Sequence, residues 1–398
     1  MSQSPKLTVI IPTSNRADTL RSCLETVVVQ RCPQIEILVS DNFSDSATHS
    51  VIQSFSDPRI KSVRTERKMG MSEHWDFALE HACGEWVTIL GDDDGLLPDG
   101  ADRFFELADR HPVDAISSLR CNYTWPNASK DGLGRLQVSC EQKFELRNSK
   151  EWLRSVVTSG GSYMDLPWIY SGGFVKRSVM DHIRSKMGRC FSSIIPDVYS
   201  GVAVASVLPT YGYSHFPLAI NGTSSHSNGR QCLNSTRKER DQIDFFQDNG
   251  LKFLENLGDG SINSFCFYTY ECFLQSAPLR DFDIDTTLDE QLLLAMLQAK
   301  KKNHADVMDY CREVAIQNNL DFGPIADRHR RARMRQYVFK KLGKLTSILR
   351  KKSTCHNIRS QELITVMLAA QEAAKLLDDW ASSAEHQPKH SNDSHESI

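Results

Sequence analysis

Short runs rich in β-branched residues alternate with helical spacings along the first third of the chain. Leu7–Ile11, Ile35–Val39, Ile60–Val63, Trp86–Leu90 and Ala115–Leu119 are each four or five residues long. Between them, Leu20, Leu24, Val27 and Val28, and then Trp75, Ala78, Leu79 and Ala82, recur at helical intervals, and a stretch around Phe104, Phe105 and Leu107 precedes the fifth run. Runs of this length bounded by polar residues read as strands, and the spaced residues read as one face of a helix. Strands alternating with helices make βαβ units, which predicts an α/β fold with a mostly parallel sheet covered on both faces.

The pattern then changes twice. From Cys121 to Ile220 glycine and proline punctuate the chain (Gly160-Gly161, Pro167, Gly172-Gly173, Pro196, Pro209, Pro217) and aromatic residues are frequent. That composition predicts a loop-rich lobe completing the first domain. A polar loop from Ser224 to Arg237 marks the boundary, and beyond Asp241 helical periodicity dominates, as in Leu288, Leu292, Leu293, Met296 and Leu297. The expected organisation is residues 1–235 as one domain, 236–381 as a helical region and 382–398, almost free of apolar residues, without fixed structure.

Composition narrows the class without naming it. With 40% hydrophobic and 24% charged residues the chain is of ordinary globular make-up and is not disordered throughout. Its 11 cysteines include no C-x-x-C pair, which points to reduced thiols and to neither a zinc site nor a disulfide framework. The run Leu7–Ile11 is too short for a signal-peptide core, and no stretch approaches the ~20 apolar residues of a membrane span. The expectation is a soluble, cytoplasmic protein.

Net charge is −3, from 47 lysines and arginines against 50 acidic residues, which argues against wholesale nucleic-acid binding. That near-neutrality hides a local excess. From Arg328 to Lys352 there are 11 lysines and arginines and no acidic residue, and Met334, Val338, Leu342, Leu345 and Leu349 fall on one helical stripe. A basic amphipathic helix of this kind can lie on an anionic membrane surface, which would make the protein peripheral on the inner face. A solvated helix packed on its neighbours is the other reading, and no nucleic-acid motif accompanies the charge.

In open parallel sheets ligands bind beyond the carboxyl ends of the strands. The first run is followed there by Pro12-Thr13-Ser14-Asn15-Arg16, the second by Ser40-Asp41-Asn42-Phe43-Ser44-Asp45 and the fourth by Gly91-Asp92-Asp93-Asp94-Gly95. Asn, Asp and Ser in the second segment also suit a plain helix N-cap. Three consecutive aspartates directly after a buried strand repel one another unless a cation offsets them. Hard divalent ions take carboxylate and diphosphate oxygens together, so a metal–diphosphate site is the more economical reading. No G-x-G-x-x-G follows the first run and no G-x-x-x-x-G-K-[ST] occurs, which disfavours a dinucleotide-binding domain and a P-loop NTPase.

The three blocks LTVIIPTSNRADTLRSCLETVVVQ, IEILVSDNFSD and GEWVTILGDDDGLLPDGADRF, in that order and spacing, resemble the family 2 inverting glycosyltransferases of the GT-A fold. The resemblance covers roughly residues 5–230. It implies a Rossmann-like GT-A sheet and transfer of a sugar from a nucleotide-diphosphate donor, UDP before dTDP, to a saccharide or lipid-linked hydroxyl acceptor. By position it implies that Pro12, Thr13 and Arg16 line the nucleoside. Asp41 would accept a hydrogen bond from the pyrimidine, and Lys68, Trp75 and Asp92 would also serve the donor. The downstream Leu96 and Pro98 set the register of the family's Asp-x-Asp-Asp, whose first position is Gly91 here. Asp93 then takes the main place on Mn2+ or Mg2+, with Asp94, and with His226 from the distal polar loop; an Asp-x-Asp shifted by one, formed by Asp92 and Asp94, is the other register. Asp197, after Pro196, falls where the family keeps the base that deprotonates the acceptor. Gly172-Gly173, near Trp168 and Tyr170, resembles a sugar-facing loop. Two other readings stay open. One is a nucleotidyltransferase, disfavoured by the missing glycine-rich loop; the other is a non-catalytic nucleotide-sugar-binding or scaffold protein, kept open by Gly91.

Overall fold

The computed structural model describes residues 4–139, 141–227, 250–346 and 355–385, with side chains omitted at 336–346, 355 and 383–385. It opens with β1 (Leu7–Thr13), α1 (Ala17–Val28), β2 (Ile35–Asp41), α2 (Ser46–Gln53), β3 (Ile60–Arg64), α3 (Met71–Glu80) and β4 (Trp86–Ile89). β1 pairs in parallel with β2 and β4, and β2 with β3. The βαβ alternation read from the sequence is therefore present.

Next come β5 (Gly95–Leu96), α4 (Gly100–Arg110), β6 (Ala115–Thr124), β7 (Gly134–Ser139), β8 (Phe144–Asn148), α5 (Ser149–Ser159), β9 (Gly173–Lys176), α6 (Arg177–Met187), α7 (Pro196–Val207) and β10 (Thr210–Thr223). The segment expected to be loop-rich thus carries four further strands and three helices. β9 joins β4 to β6 antiparallel, and β10 runs parallel to β6 and antiparallel to β5 and β8, so the sheet is mixed. β10 shifts register between Ser214 and Ala219, around Pro217, which has no N–H to give to a ladder.

The helical region consists of α8 (Phe265–Gln275), α9 (Leu288–Gln298), α10 (His304–Gln317) and α11 (Phe322–Thr346); β11 (Cys355–Ser360) and α12 (Val366–Glu385) follow. Helices α8 to α10 share one apolar core with α3, α5, α6 and α7 on one face of the sheet. The other face is covered by α1 and α4, where Leu20, Cys23, Leu24, Val27 and Phe104 are wholly buried. Burying each such side chain is worth about 1.5–3 kcal/mol. β11, expected within a helical region, instead extends the sheet by pairing with β7, and α12 packs behind it on Tyr123, Trp125 and Leu136. The expected boundary at 235/236 lies outside the described residues, as do residues 386–398 of the expected unstructured tail. Among the described residues no helix is long and apolar enough to cross a membrane.

Candidate active site

The parallel register sets Thr13 directly opposite Asp41, and the segment after β4 emerges beside them. Three residues along this side of the sheet have positive φ without being glycine: Asn15 (54°), Phe43 (55°) and Ser171 (36°). Such backbone persists only where its surroundings fix it. Here Asn15 N–H donates to Ser44 Oγ (2.9 Å) and Asn15 Oδ1 accepts from Asp45 N–H (2.8 Å), bolting the loop after β1 to the loop after β2.

The three aspartates after β4 have three different environments. Asp92 accepts from Thr13 Oγ1 at 2.8 Å and from Arg16 Nη1 at 3.0 Å. Burial pushes its pKa up and the Arg16 charge works against that rise. Asp93 Oδ2 accepts from Ser224 N–H (3.2 Å), Ser224 Oγ (2.7 Å) and Ser227 Oγ (2.5 Å), and none of these bonds uses Oδ1. Asp94 is fully buried: Oδ1 accepts from Asn221 Nδ2 (2.9 Å) and Gly222 N–H (2.6 Å), and Oδ2 accepts from Gly91 N–H (3.2 Å). The Tyr170 hydroxyl also donates to Asp94, whose pKa burial pushes up to about 7. Asp94 therefore ties the motif to β10.

Gly91 is explained by the same arrangement. A Cβ there would stand 2.4 Å from the Tyr170 hydroxyl and 2.8 Å from Asp94 Oδ2. An aspartate at the first motif position would meet the same atoms. Gly91→Ala is expected to destabilise the protein by about 1–3 kcal/mol, the usual cost of overpacking a closed site. In a Tyr170→Phe background the added cost in thermal or urea unfolding should shrink, because the hydroxyl is the nearest obstacle. Equal costs in both backgrounds would place the crowding elsewhere.

Asp197 is the second residue of α7, behind Pro196. The helix N-cap is Ile195, so Asp197 is not the capping residue, although its carboxylate accepts from backbone N–H groups of the first turn. Its Oδ2 accepts from the Tyr163 hydroxyl at 3.3 Å, and burial raises its pKa. Aromatic rings join this carboxylate to the acidic motif. Tyr163 meets Trp168 edge-on (5.7 Å between centroids), Trp168 meets Tyr170 (5.6 Å), and Tyr170 stacks on Trp75 (5.4 Å). Tyr170 feels the charges of Asp93, Asp94 and Asp197 together, so the two acidic groups flank one wall. The helical region supports it: Tyr163 stacks on Phe265 of α8, and buried Glu271 of α8 accepts from Ser193 Oγ (2.8 Å) in the loop leading to Asp197.

Of the residues singled out in the sequence, Pro12, Thr13, Arg16, Asp41, Asp92, Asp93 and Asp94 share one edge of the sheet. Asp45, not Asp41, is the N-cap of α2, its side chain accepting from Thr48 N–H. Asp41 instead accepts from Ser44 N–H (2.9 Å) and Arg64 Nη1 (3.0 Å). Lys68 is exposed in the loop that Asn42 clamps through both Met69 N–H and Met69 C=O (2.8 Å each). Trp75 is only 4% exposed and reaches the acidic motif through Tyr170. His226 is not brought onto Asp93: its exposed ring lies 3.9 Å from Asp18 Oδ2, while its carbonyl accepts from Arg16 Nη2 (2.7 Å). Arg64, Tyr163, Asn221, Ser224 and Ser227 escaped the sequence reading, and Tyr170 entered it only as a neighbour of the Gly172-Gly173 loop. The serines flank the very histidine that was singled out.

Among the described residues no group of three or more His, Cys, Asp and Glu side chains is arranged to hold a metal ion. Asp93 nonetheless offers a hard oxygen unclaimed by these hydrogen bonds, which suits a cation held by one or two carboxylates and completed by substrate phosphates. Asp94, saturated by β10 and Tyr170, does not add a second.

A mixed α/β sheet with helices on both faces, an acidic motif beyond a central strand and a helical C-terminal region define the GT-A class of fold. Residues 8–163 match the model described as Glycosyl transferase family 2. The chain is 30% identical over 105 residues to the succinoglycan biosynthesis protein ExoO of Rhizobium meliloti, which is 26% of this chain and 30% of that protein. It is 41% identical over 96 residues to the GalNAc(5)-diNAcBac-PP-undecaprenol beta-1,3-glucosyltransferase of Campylobacter jejuni, 23% of this chain and 31% of that one. The chain thus spans under a third of the length of these curated relatives. A crystal structure of S. aureus TarS 1-349 in complex with UDP superposes with a TM-score of 0.47 at 12% identity, covering 82% of this chain and 92% of that one.

Proposed function

We propose that the protein is a metal-dependent inverting glycosyltransferase that moves a sugar from a UDP-sugar, with dTDP second, to a hydroxyl acceptor in polysaccharide or glycoconjugate assembly. The observation that carries this reading is the pair of acidic sites on one aromatic wall. Among the described residues Asp93 keeps Oδ1 outside the bonds of Ser224 and Ser227 on one side, and Asp197 is a carboxylate of raised pKa on the other. Thr13, Arg16, Asp41 and Asp92 line the edge where the nucleoside and diphosphate would lie, with Lys68 and Trp75 behind. Inversion is a single displacement. The acceptor oxygen forms its bond to the anomeric carbon, the bond from that carbon to the diphosphate oxygen breaks, and the hydroxyl proton passes to Asp197. Burial makes Asp197 a stronger base than an exposed carboxylate, and Tyr163 fixes its orientation. Mn2+ or Mg2+ bound at Asp93 would supply Lewis-acid stabilisation of the leaving diphosphate.

Calorimetric titration with UDP is the test. Binding that requires manganese is expected; equal binding in chelator would remove the metal, and none in either condition would remove the donor reading.

The proposed setting is the cytoplasmic face of a membrane, with a lipid-linked acceptor. The Campylobacter relative is named for a PP-undecaprenol-linked substrate. α11 carries Arg330, Arg331, Arg333 and Arg335, all exposed, with Met334 71% exposed among them. Full-length protein is expected to float with vesicles containing anionic lipid, and Arg331→Glu/Arg335→Glu to float less. Equal flotation would withdraw the membrane contact.

A further inference from the structure

Arg120 lies on β6 with its guanidinium carbon 4.5 Å from the centre of the Trp168 ring. Trp168 is the middle member of the aromatic wall between Asp197 and the acidic motif, and the Arg120 charge is felt by Tyr163 and Asp197, at the acceptor end of that wall. Its Nη2 touches the Met164 sulfur, a weak acceptor on a side chain 37% exposed at the rim. Among the described residues no oxygen accepts from it and no carboxylate pairs with it.

Arg147 shows what a purely structural stacked arginine looks like in this fold. It lies over Trp152 and Tyr213, is 5% exposed, and its N–H groups are taken by Glu145 and by the Asp165 carbonyl. Arg16, on the donor side, is likewise paired, with Asp92. Arg120 also lies over a ring, and beyond the Met164 sulfur its hydrogen-bonding fork meets no oxygen among the described residues. A planar guanidinium so held is preorganised for two parallel bonds to an oxyanion. Its charge also reaches Tyr163 and Asp197.

We propose that Arg120, lying over Trp168, receives a phosphate-type oxyanion carried by the acceptor, beside the hydroxyl that Asp197 deprotonates. This rests on Asp197 marking the acceptor side. The same chemistry could come from the donor diphosphate, and the experiment separates the two sources.

Inorganic phosphate is titrated calorimetrically into the full chain, alone and with UDP and manganese, for wild type, Arg120→Gln and Arg120→Lys. Wild type should bind phosphate in both conditions. Arg120→Gln should bind about tenfold more weakly or worse, the scale of a lost charge-assisted hydrogen bond. Arg120→Lys should fall between, keeping the charge but not the fork, and UDP affinity should be the same in all three. Equal phosphate affinity in wild type and Arg120→Gln overturns the site. A parallel tenfold loss of UDP affinity overturns its assignment to the acceptor. A wild type that binds phosphate through Arg120 but not UDP supports the anion site and overturns the donor reading instead.

Discussion

Asp197→Asn is expected to lower kcat for sugar transfer by about 10²–10⁴-fold, the range of a lost general base, while UDP affinity stays near wild type. The amide can still accept from Tyr163 but cannot take the proton of the acceptor hydroxyl. The pH profile supplies the signature. A base works only when ionised, and burial raises the Asp197 pKa, so kcat/KM of the wild type should rise with pH through a value above the usual aspartate value of about 4. Activity is therefore lost on acidification earlier than for an exposed carboxylate. In Asp197→Asn the residual rate should lose that acid limb. Joint loss of UDP binding and turnover would make Asp197 structural, and an unshifted limb in the variant would assign it to another group.

The second large effect is expected at Asp93. Asp93→Asn keeps an oxygen for Ser224 and Ser227 but removes the anionic charge offered to a cation. UDP affinity in manganese should fall about a hundredfold, or roughly 2.8 kcal/mol at about 1.4 kcal/mol per tenfold. In chelator, wild type and variant should bind alike. Ser227→Ala, which removes one bond to Oδ2 and leaves the charge, should cost far less. A hundredfold loss from Ser227→Ala would show that holding the 224–227 turn in place matters more than the carboxylate. Equal losses with and without manganese in Asp93→Asn would separate the residue from any metal.

These effects fall on residues that the sequence could point to, because their signals are local. Val9, Ile37 and Val87 lie in runs that only a buried strand explains, and in a parallel sheet the residues just past such strands face the ligand edge. The partners were not legible, because each comes from far along the chain. Ser224 and Asn221 reach the motif from β10 and its exit, and the bond from Tyr170, a residue seen in the sequence only beside a glycine loop, comes from the turn before β9. Polar residues in a turn carry no mark of where their hydroxyls point until the sheet is assembled. Trp75 shows the converse. An aromatic residue near a ligand edge suggested contact with the donor, yet at 4% exposure it acts as a prop beneath Tyr170. β11 was hidden for a third reason. Its Cys-His-Asn-Ile-Arg-Ser lacks a strand's apolar alternation, and edge pairing with β7 determines its conformation.

The way α12 closes the molecule bears on how it is made. Val366, Ala369, Ala370, Ala373 and Leu377 complete a core begun by Leu97, Cys121 and Trp125, and Met367 N–H donates to Ser22 Oγ (3.0 Å) at the other end of the chain. The ribosome delivers Ser22 some seventeen seconds or more before Met367, at about 5–20 residues per second. Through that interval the apolar patch around Leu97, Cys121 and Trp125 lacks the cover that α12 gives it. Vectorial synthesis therefore leaves this patch sticky until α12 emerges, and a gene cut before α12 would leave it so permanently.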